Sequence, residues 1–196
     1  TSVNRDDLPD KGAGHFAETI EALRQRIPDA GIEVLTPDFK GRRPLVEQVL
    51  AAKPTVFNHN METCERLTGP VRSGARYDRS LSVLAMAKQL AAPGQTATKS
   101  GIMVGLGETD AEVETVLRDL RTAEVDILTI GQYLPPTREH WGLDRYVEPA
   151  QFEAWSELAY EIGFKAVRSA PLVRSSYHAE EMARQVLGAD NEIRLH

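Results

Sequence analysis

Three stretches of this chain concentrate side chains that could do chemistry, and each follows a short apolar run. Asn58-His59-Asn60-Met61-Glu62-Thr63 puts two amides, an imidazole and a carboxylate in six residues, a set able to hold the amino-acid end of a ligand. Capping and turn roles for Asn58 and Asn60 are an equal alternative. His59 has no partner at metal-ligand spacing, which favours a local hydrogen bond over a metal. The stretch over 99–109 sets Gly101, Gly105 and Gly107, where a ligand could approach the backbone, before Glu108 at a helix start. A plain turn into that helix needs a glycine too. The spacing is not the dinucleotide fingerprint: no third glycine falls at the required place, and an acidic helix start repels a pyrophosphate. A small zwitterionic or cationic ligand suits it better. Arg174-Ser175-Ser176-Tyr177-His178-Ala179 gathers a guanidinium, two hydroxyls, a phenol and an imidazole after Pro171. Neither serine sits in a Gly-x-Ser-x-Gly elbow, so a nucleophile is disfavoured. A hydroxyl ligand to a metal and an N-cap for a helix near His178 remain, and residue chemistry alone favours the cap.

The elements that must position these groups follow from the apolar pattern. Six short runs, at Ser2-Val3, 32–35, Val56-Phe57, 99–104, 127–130 and 164–167, each end in polar or glycine-rich text. Helix-length amphipathic stretches separate them, so the order is βαβα and the sheet is expected to be parallel. Phe16, Ile20, Leu23 and Ile27 share one helix face that closes before Pro28. Thr109-Asp110-Ala111-Glu112 is a capping box before a helix with Val113, Val116, Leu117 and Leu120 inward. Pro149 opens another, with Phe152, Trp155, Ala159 and Ile162 inward and Gly163 ending it. Right-handed crossovers keep the strands pointing one way, which gathers all the polar tails at one edge. Cys64, one step into the helix after the Asn58 motif, is a packed thiol rather than a nucleophile.

Composition narrows the class. With 196 residues, 41% of them hydrophobic, the chain can bury one sizeable core. We expect residues 1–187 to form that core with a C-terminal extension, and 188–196 to be a polar tail. A net charge of −6 argues against a general nucleic-acid binder. No apolar stretch approaches the roughly 20 residues a membrane helix needs, so the expectation is no membrane and a soluble, intracellular protein. A single cysteine excludes an intramolecular disulfide and an all-cysteine metal site within this chain. Thr1-Ser2-Val3 reads as the end of a longer strand, and the unpaired parallel edge it leaves suggests that an N-terminal portion is missing.

Five motifs, at 2–10, 58–63, 98–109, 126–138 and 171–179, resemble the lipoyl synthases in order and interval, and the resemblance runs from Thr1 to about Ala183. It implies an α/β fold: a partial (β/α) barrel of the radical S-adenosylmethionine type, its first strand and cluster loops missing, with the site at the carboxyl ends of the strands. It implies a sulfurtransferase with two [4Fe-4S] clusters. One cluster reduces S-adenosylmethionine to a 5′-deoxyadenosyl radical, which abstracts hydrogens from carbons six and eight of a protein-bound octanoyl chain. The other is consumed as the sulfur source. By the same resemblance Asn58, Asn60, Glu62, Lys99, Gly101, Met103, Gly105, Gly107 and Glu108 bind S-adenosylmethionine, with Gln132 and Tyr133 near its adenosyl group. Ser176, or failing it Ser175, ligates the auxiliary cluster, and Arg174 stabilises that cluster by charge. Arg5, Asp6 and Asp7 sit on the same rim, either touching ligand or fixing the loop.

The implied partners are octanoylated lipoyl-carrier domains, such as 2-oxoacid dehydrogenase E2 subunits and the glycine cleavage H protein, together with an electron donor. A bacterial cytoplasm is the expected location, with a mitochondrial one left open. Both cysteine triplets of the family are absent from this chain, and Cys64 belongs to neither, so the piece alone is expected to be inactive. Two other readings stand beside this one: an iron-independent (β/α)-barrel enzyme, and a non-catalytic barrel remnant that binds a lipoyl carrier.

Overall fold

A computed structural model describes residues 1–188. The polar tail expected from 188 onward lies, from residue 189, outside the described residues.

Five parallel strands form one sheet in sequential order: β1 (Glu33–Leu35), β2 (Val56–Asn58), β3 (Ala97–Val104), β4 (Ile127–Gln132) and β5 (Ala166–Ser169). Between them run α1 (Ala13–Arg26) before β1, α2 (Arg43–Ala51), α3 (Glu65–Val71), α4 (Tyr77–Leu90), α5 (Asp110–Thr122) and α6 (Pro149–Glu161), and α7 (Ala179–Leu187) closes the described chain. This is the parallel α/β order read from the sequence, with one strand fewer. Ser2-Val3 is not a strand: residues 1–5 form no ladder, because extended backbone counts as sheet only when it pairs, and β1 pairs with β2 alone.

Alternation along the strands sorts the side chains onto two faces. Val34 and Phe57 point outward into a core with Phe16, Ile20, Val46, Val49 and Val83 from α1, α2 and α4. Ile102, Val104, Leu128, Ile130 and Val167 point outward onto α5 and α6, where all four residues expected on the inner face of α5 are buried. Each fully buried aliphatic side chain of this layer contributes about 1.5–3 kcal/mol. The capping box at Thr109 is formed as expected, its hydroxyl accepting from Glu112 N while the Glu112 carboxylate accepts from Thr109 N. In α1 the apolar stripe outruns its partner: Phe16 and Ile20 are buried, but Leu23 and Ile27 extend past the short strand β1 and are exposed.

The other face carries α7. Val56, Ala97, Ile127 and Ala166, the first residues of β2 to β5, pack against Met182 and Ala183 and close the amino end of the sheet. Neither serine caps this helix. Its N-cap is His178, at φ +48° and without a side-chain cap, so the cap expected from the hydroxyls is not made. Glu181 in the first turn anchors the helix instead, pairing with Arg168 of β5 at 2.8 Å and with His178 at 3.0 Å.

Candidate functional site

Above the apolar layer, the inward positions of the same strands turn polar. Glu33, Asn58 and Lys99 stand on three adjacent strands, Lys99 Nζ lying 3.0 Å from Glu33 Oε2 while Asn58 Nδ2 donates to Glu33 Oε1 at 2.9 Å. Lys99 is fully buried, and burial pushes its ammonium below the ordinary lysine range despite the paired carboxylate. An ion pair placed here must be kept whole, because removing one partner strands the other in a poorly solvated site.

One level higher the floor is glycine. A Cβ on Gly101 would stand 2.6 Å from Thr129 Oγ1 and 3.0 Å from Asn60 Oδ1, and one on Gly131 would collide with the Val173 carbonyl. Over this floor lies a cavity of about 110 Å³ whose lining includes Asn60, Glu62, Gly101, Met103, Arg174 and Ser175. The turn after β2 delivers two of these groups. Glu62 takes the left-handed conformation at φ +68°, held by Glu62 N donating to Gly101 O at 3.0 Å and Met103 N donating to Glu62 O at 2.8 Å. Such a conformation costs a non-glycine residue about 1–3 kcal/mol and recurs where a side chain must be aimed at a site. Burial pushes the Glu62 carboxyl upward, against Arg72 and the amide of Asn60. Asn60 Oδ1 is buried and accepts no hydrogen bond among the described residues. A ligand that donates there would satisfy it.

The structure thus brings together Asn60, Glu62, Gly101, Met103 and Arg174, while Asn58 and Lys99 lie one layer beneath the cavity. Gly105, Gly107, Glu108, Gln132 and Tyr133 are not among its lining residues and stand at the ends of β3 and β4 and in the turns that follow them. Gly105 and Gly107 take φ of +95° and +109°, and the Glu108 carboxylate accepts from Gly105 N and Leu106 N, closing the turn that leads into α5. The Gln132 amide is held by the carbonyls of Val104, Tyr133 and Arg145 and by Val147 N. Tyr133 is buried, donating its hydroxyl to Trp141 O. Ser175 lines the cavity; Ser176 is exposed, and its hydroxyl makes no hydrogen bond among the described residues. His59 is a satisfied core histidine, with Nδ1 2.9 Å from Thr36 O and Nε2 3.0 Å from Ser80 Oγ. Arg5 pairs with Asp7 and Lys40 with Asp6, so these rim residues fix their loop.

Sequence reasoning missed Thr129 and Gly131, although a glycine inside a buried apolar strand signals close backbone approach. It also missed Arg72, which no local motif marks. Cys64 is buried at the N-cap of α3, where burial raises its thiol. Among the described residues no group of three or more His, Cys, Asp or Glu could hold a metal ion. With one cysteine in the sequence, the thiolate set of an iron–sulfur cluster is not supplied by this chain, whereas the glycine floor and the orphaned amide fit an organic ligand.

Comparison with known proteins bears on family and fold. The model of the Radical SAM superfamily matches residues 1–120. The chain is 54% identical over 193 residues to the lipoyl synthase of Rubrobacter xylanophilus, a match covering 96% of this chain and 60% of that protein. It is 54% identical over 189 residues to lipoyl synthase 2 of Nostoc sp., covering 92% and 62%. Over 184 residues it is 54% identical to the lipoyl synthase of Bacteroides thetaiotaomicron, covering 94% and 64%. The chain thus spans about three fifths of the length of these curated relatives. The crystal structure of methylornithine synthase (PylB) superposes with a TM-score of 0.61 at 16% identity, covering 78% of this chain and 51% of that one. At that identity the likeness speaks for the fold alone, a partial barrel. No helix among the described residues is long and apolar enough to cross a membrane.

Proposed function

The chain belongs to the Radical SAM superfamily, and from that premise we propose that the whole protein is a lipoyl synthase, inserting two sulfur atoms into carbons six and eight of an octanoyl group carried on a protein. The substrates would be octanoylated lipoyl-carrier domains of bacterial cytoplasm, with an external electron donor. Identity to proteins of that name over nearly the whole chain supports the activity. The observation that carries the site is the cavity on the Gly101 and Gly131 floor with a buried, unpartnered Asn60 Oδ1 beside Glu62.

S-adenosylmethionine bound here would supply the hydrogen-abstracting chemistry. This chain's own residues bind and orient it. The two glycines let a flat ring system approach the strand backbone, as side chains there would not. Asn60 Oδ1 accepts a hydrogen from the ligand and Glu62 offers its carboxylate, while Glu108 and Gln132 are engaged by backbone groups outside the cavity lining. We assign Ser176 as the hydroxyl available to an iron of the auxiliary cluster, being exposed and unengaged, with Arg174 beside the cavity to balance negative charge. The thiolates of both clusters would have to come from outside this chain, so the piece is expected to bind ligand without catalysing the reaction.

Saturation-transfer NMR on the 196-residue chain tests the site. 5′-Methylthioadenosine should receive saturation and uridine should not, and Gly131→Val should abolish the transfer. Equal transfer to both nucleosides, or binding untouched by that substitution, overturns the reading. Iron and sulfide reconstitution yielding stoichiometric clusters on this chain would overturn the claim that it is inactive alone.

A further inference from the structure

Nine large apolar side chains are exposed among the described residues, and five of them, Leu134, Trp141, Tyr146, Leu172 and Tyr177, belong to the two segments that follow β4 and β5. Single exposed hydrophobes are ordinary, but a group of them beside a ligand cavity marks a contact surface. Hydrogen bonds join the two segments at one rim. Gln132 N donates to Pro171 O at 3.2 Å, the Gln132 side chain holds Arg145 O and Val147 N on either side of Tyr146, and the Tyr133 hydroxyl donates to Trp141 O at 2.8 Å. Leu172, next to Pro171, is 78% exposed, while Val173, Arg174 and Ser175 directly after it line the glycine-floored cavity. One short segment thus serves the cavity with one part and presents a large apolar side chain to solvent with the next.

The loop over 134–147 is fixed before anything binds. Trp141 Nε1 donates to Leu106 O at 2.8 Å, Asp144 N donates to Gly105 O at 2.9 Å, Arg145 lies 2.6 Å from Asp110, and Pro135 with Pro136 stiffens the start. A surface held this way loses little freedom on contact. Its charge also differs from that of the chain around it. In a protein of net charge −6, the segments 134–147 and 171–178 carry three arginines against two acids, and Arg138 and Arg174 form no ion pair among the described residues.

We propose that this rim is where the octanoylated carrier domain docks, its apolar contact centred on Leu134 and Leu172 and an acidic side chain of the carrier facing Arg138. The proposal rests on the reading that the substrate is an octanoyl group carried on a protein, and adds the surface that receives the carrier. The chemistry of that substrate selects the occupant. Carbons six and eight are separated from the carrier's backbone only by the acyl chain and the side chain that bears it. A group tethered so closely enters the cavity only when the carrier's own surface rests on the cavity's rim. The exposed Ile27 cannot serve that tether, because it lies with Ile32 and Ala183 at the amino end of the sheet.

Hydrogen exchange on the 196-residue chain, with and without an octanoylated lipoyl-carrier domain, tests this without any substitution. Protection should fall on 134–147 and 171–178, and protection confined to other segments overturns the proposal while leaving the lipoyl synthase reading intact. In biolayer interferometry with the same carrier, Leu172→Glu and Arg138→Glu should each weaken binding roughly 10-fold or more, the scale of one interface anchor lost. Ile27→Glu should not, and all three variants should keep the saturation transfer to 5′-methylthioadenosine. Carrier binding that falls with Ile27→Glu and ignores the other two overturns the proposal. So does self-association of the free chain that Leu172→Glu abolishes with carrier binding unchanged, which would give the rim to a second copy. If wild type binds no carrier although 5′-methylthioadenosine still receives saturation, the docking surface and the protein-bound substrate fall together and the adenosyl site survives.

Discussion

The two ends of the inward face of this sheet are built from the same strands and obey opposite rules. At the amino end Val56, Ala97, Ile127 and Ala166 meet Met182 and Ala183 of α7 in dry contact. At the carboxyl end, two to four residues further along, the positions hold Asn58, Asn60, Lys99, Gly101, Thr129 and Gly131, with polar atoms left unpartnered at Asn58 and Asn60. Closed packing at one end supplies stability, and the other end leaves two amide oxygens without a partner among the described residues. Barrel enzymes divide labour in the same way, with chemistry at the carboxyl ends of the strands.

Breaking the polar end at its foundation should cost most. Lys99→Met leaves the Glu33 carboxylate without its cation, and chemical denaturation should show a loss of about 3–5 kcal/mol, largely recovered by adding Glu33→Leu. A single substitution with no loss would mean that the pair is open to water. At the dry end, Met182→Ala should lower stability by about 2–4 kcal/mol without altering nucleoside binding. Similar damage to binding would erase the contrast between the two ends.

Acid sharpens the comparison. His59 is buried with both ring nitrogens engaged, and burial holds its pKa below the ordinary 6.5. Its folded state favours the neutral ring, so the stability it supports is complete above pH 6.5 and falls as pH drops from there toward the folded pKa. The slope should approach about 1.4 kcal/mol per pH unit for this one proton. Comparing unfolding at pH 7.5 and 5.5 for wild type and His59→Gln checks it, since the variant should lose this component of the pH dependence. The smallest effects belong to groups that the free protein uses little. Asn60→Ala removes an unpartnered oxygen together with the 3.2 Å hydrogen bond that Nδ2 donates to Glu62, so it should lower stability by only about 1 kcal/mol yet weaken adenosyl binding roughly 10-fold. Ser176→Ala, at an exposed hydroxyl, should leave unfolding unchanged within about 0.5 kcal/mol.

How far the sequence could be read differs along the chain for physical reasons. The helix at 110–122 was fully legible, because its cap and its apolar stripe are local and agree with each other. The apolar stripe of α1 was legible, but its burial was not: Leu23 and Ile27 satisfy the period, and only the three-residue length of β1 leaves them uncovered. Ser2-Val3 failed as a strand because pairing is not a local property. The serines after Arg174 suggested a cap that the left-handed His178 and the Glu181 anchor make unnecessary.

The sequence by itself determined the βα order, the edge at which polar residues gather, and the motifs by which the family is recognised. These depend on periodicity and on neighbours within a few residues. Which of the gathered residues face a ligand was decided only by tertiary structure. Gln132 carries a ligand-capable amide, yet the carbonyls of Val104 and Arg145 and the N–H of Val147, brought from other segments, occupy it. Arg72 carries no motif, yet the packing of α3 beside the turn after β2 sets it unpaired across a cavity from Glu62. A side chain's hydrogen-bonding capacity is a property of its sequence position. Whether that capacity is already filled depends on groups brought from elsewhere in the chain.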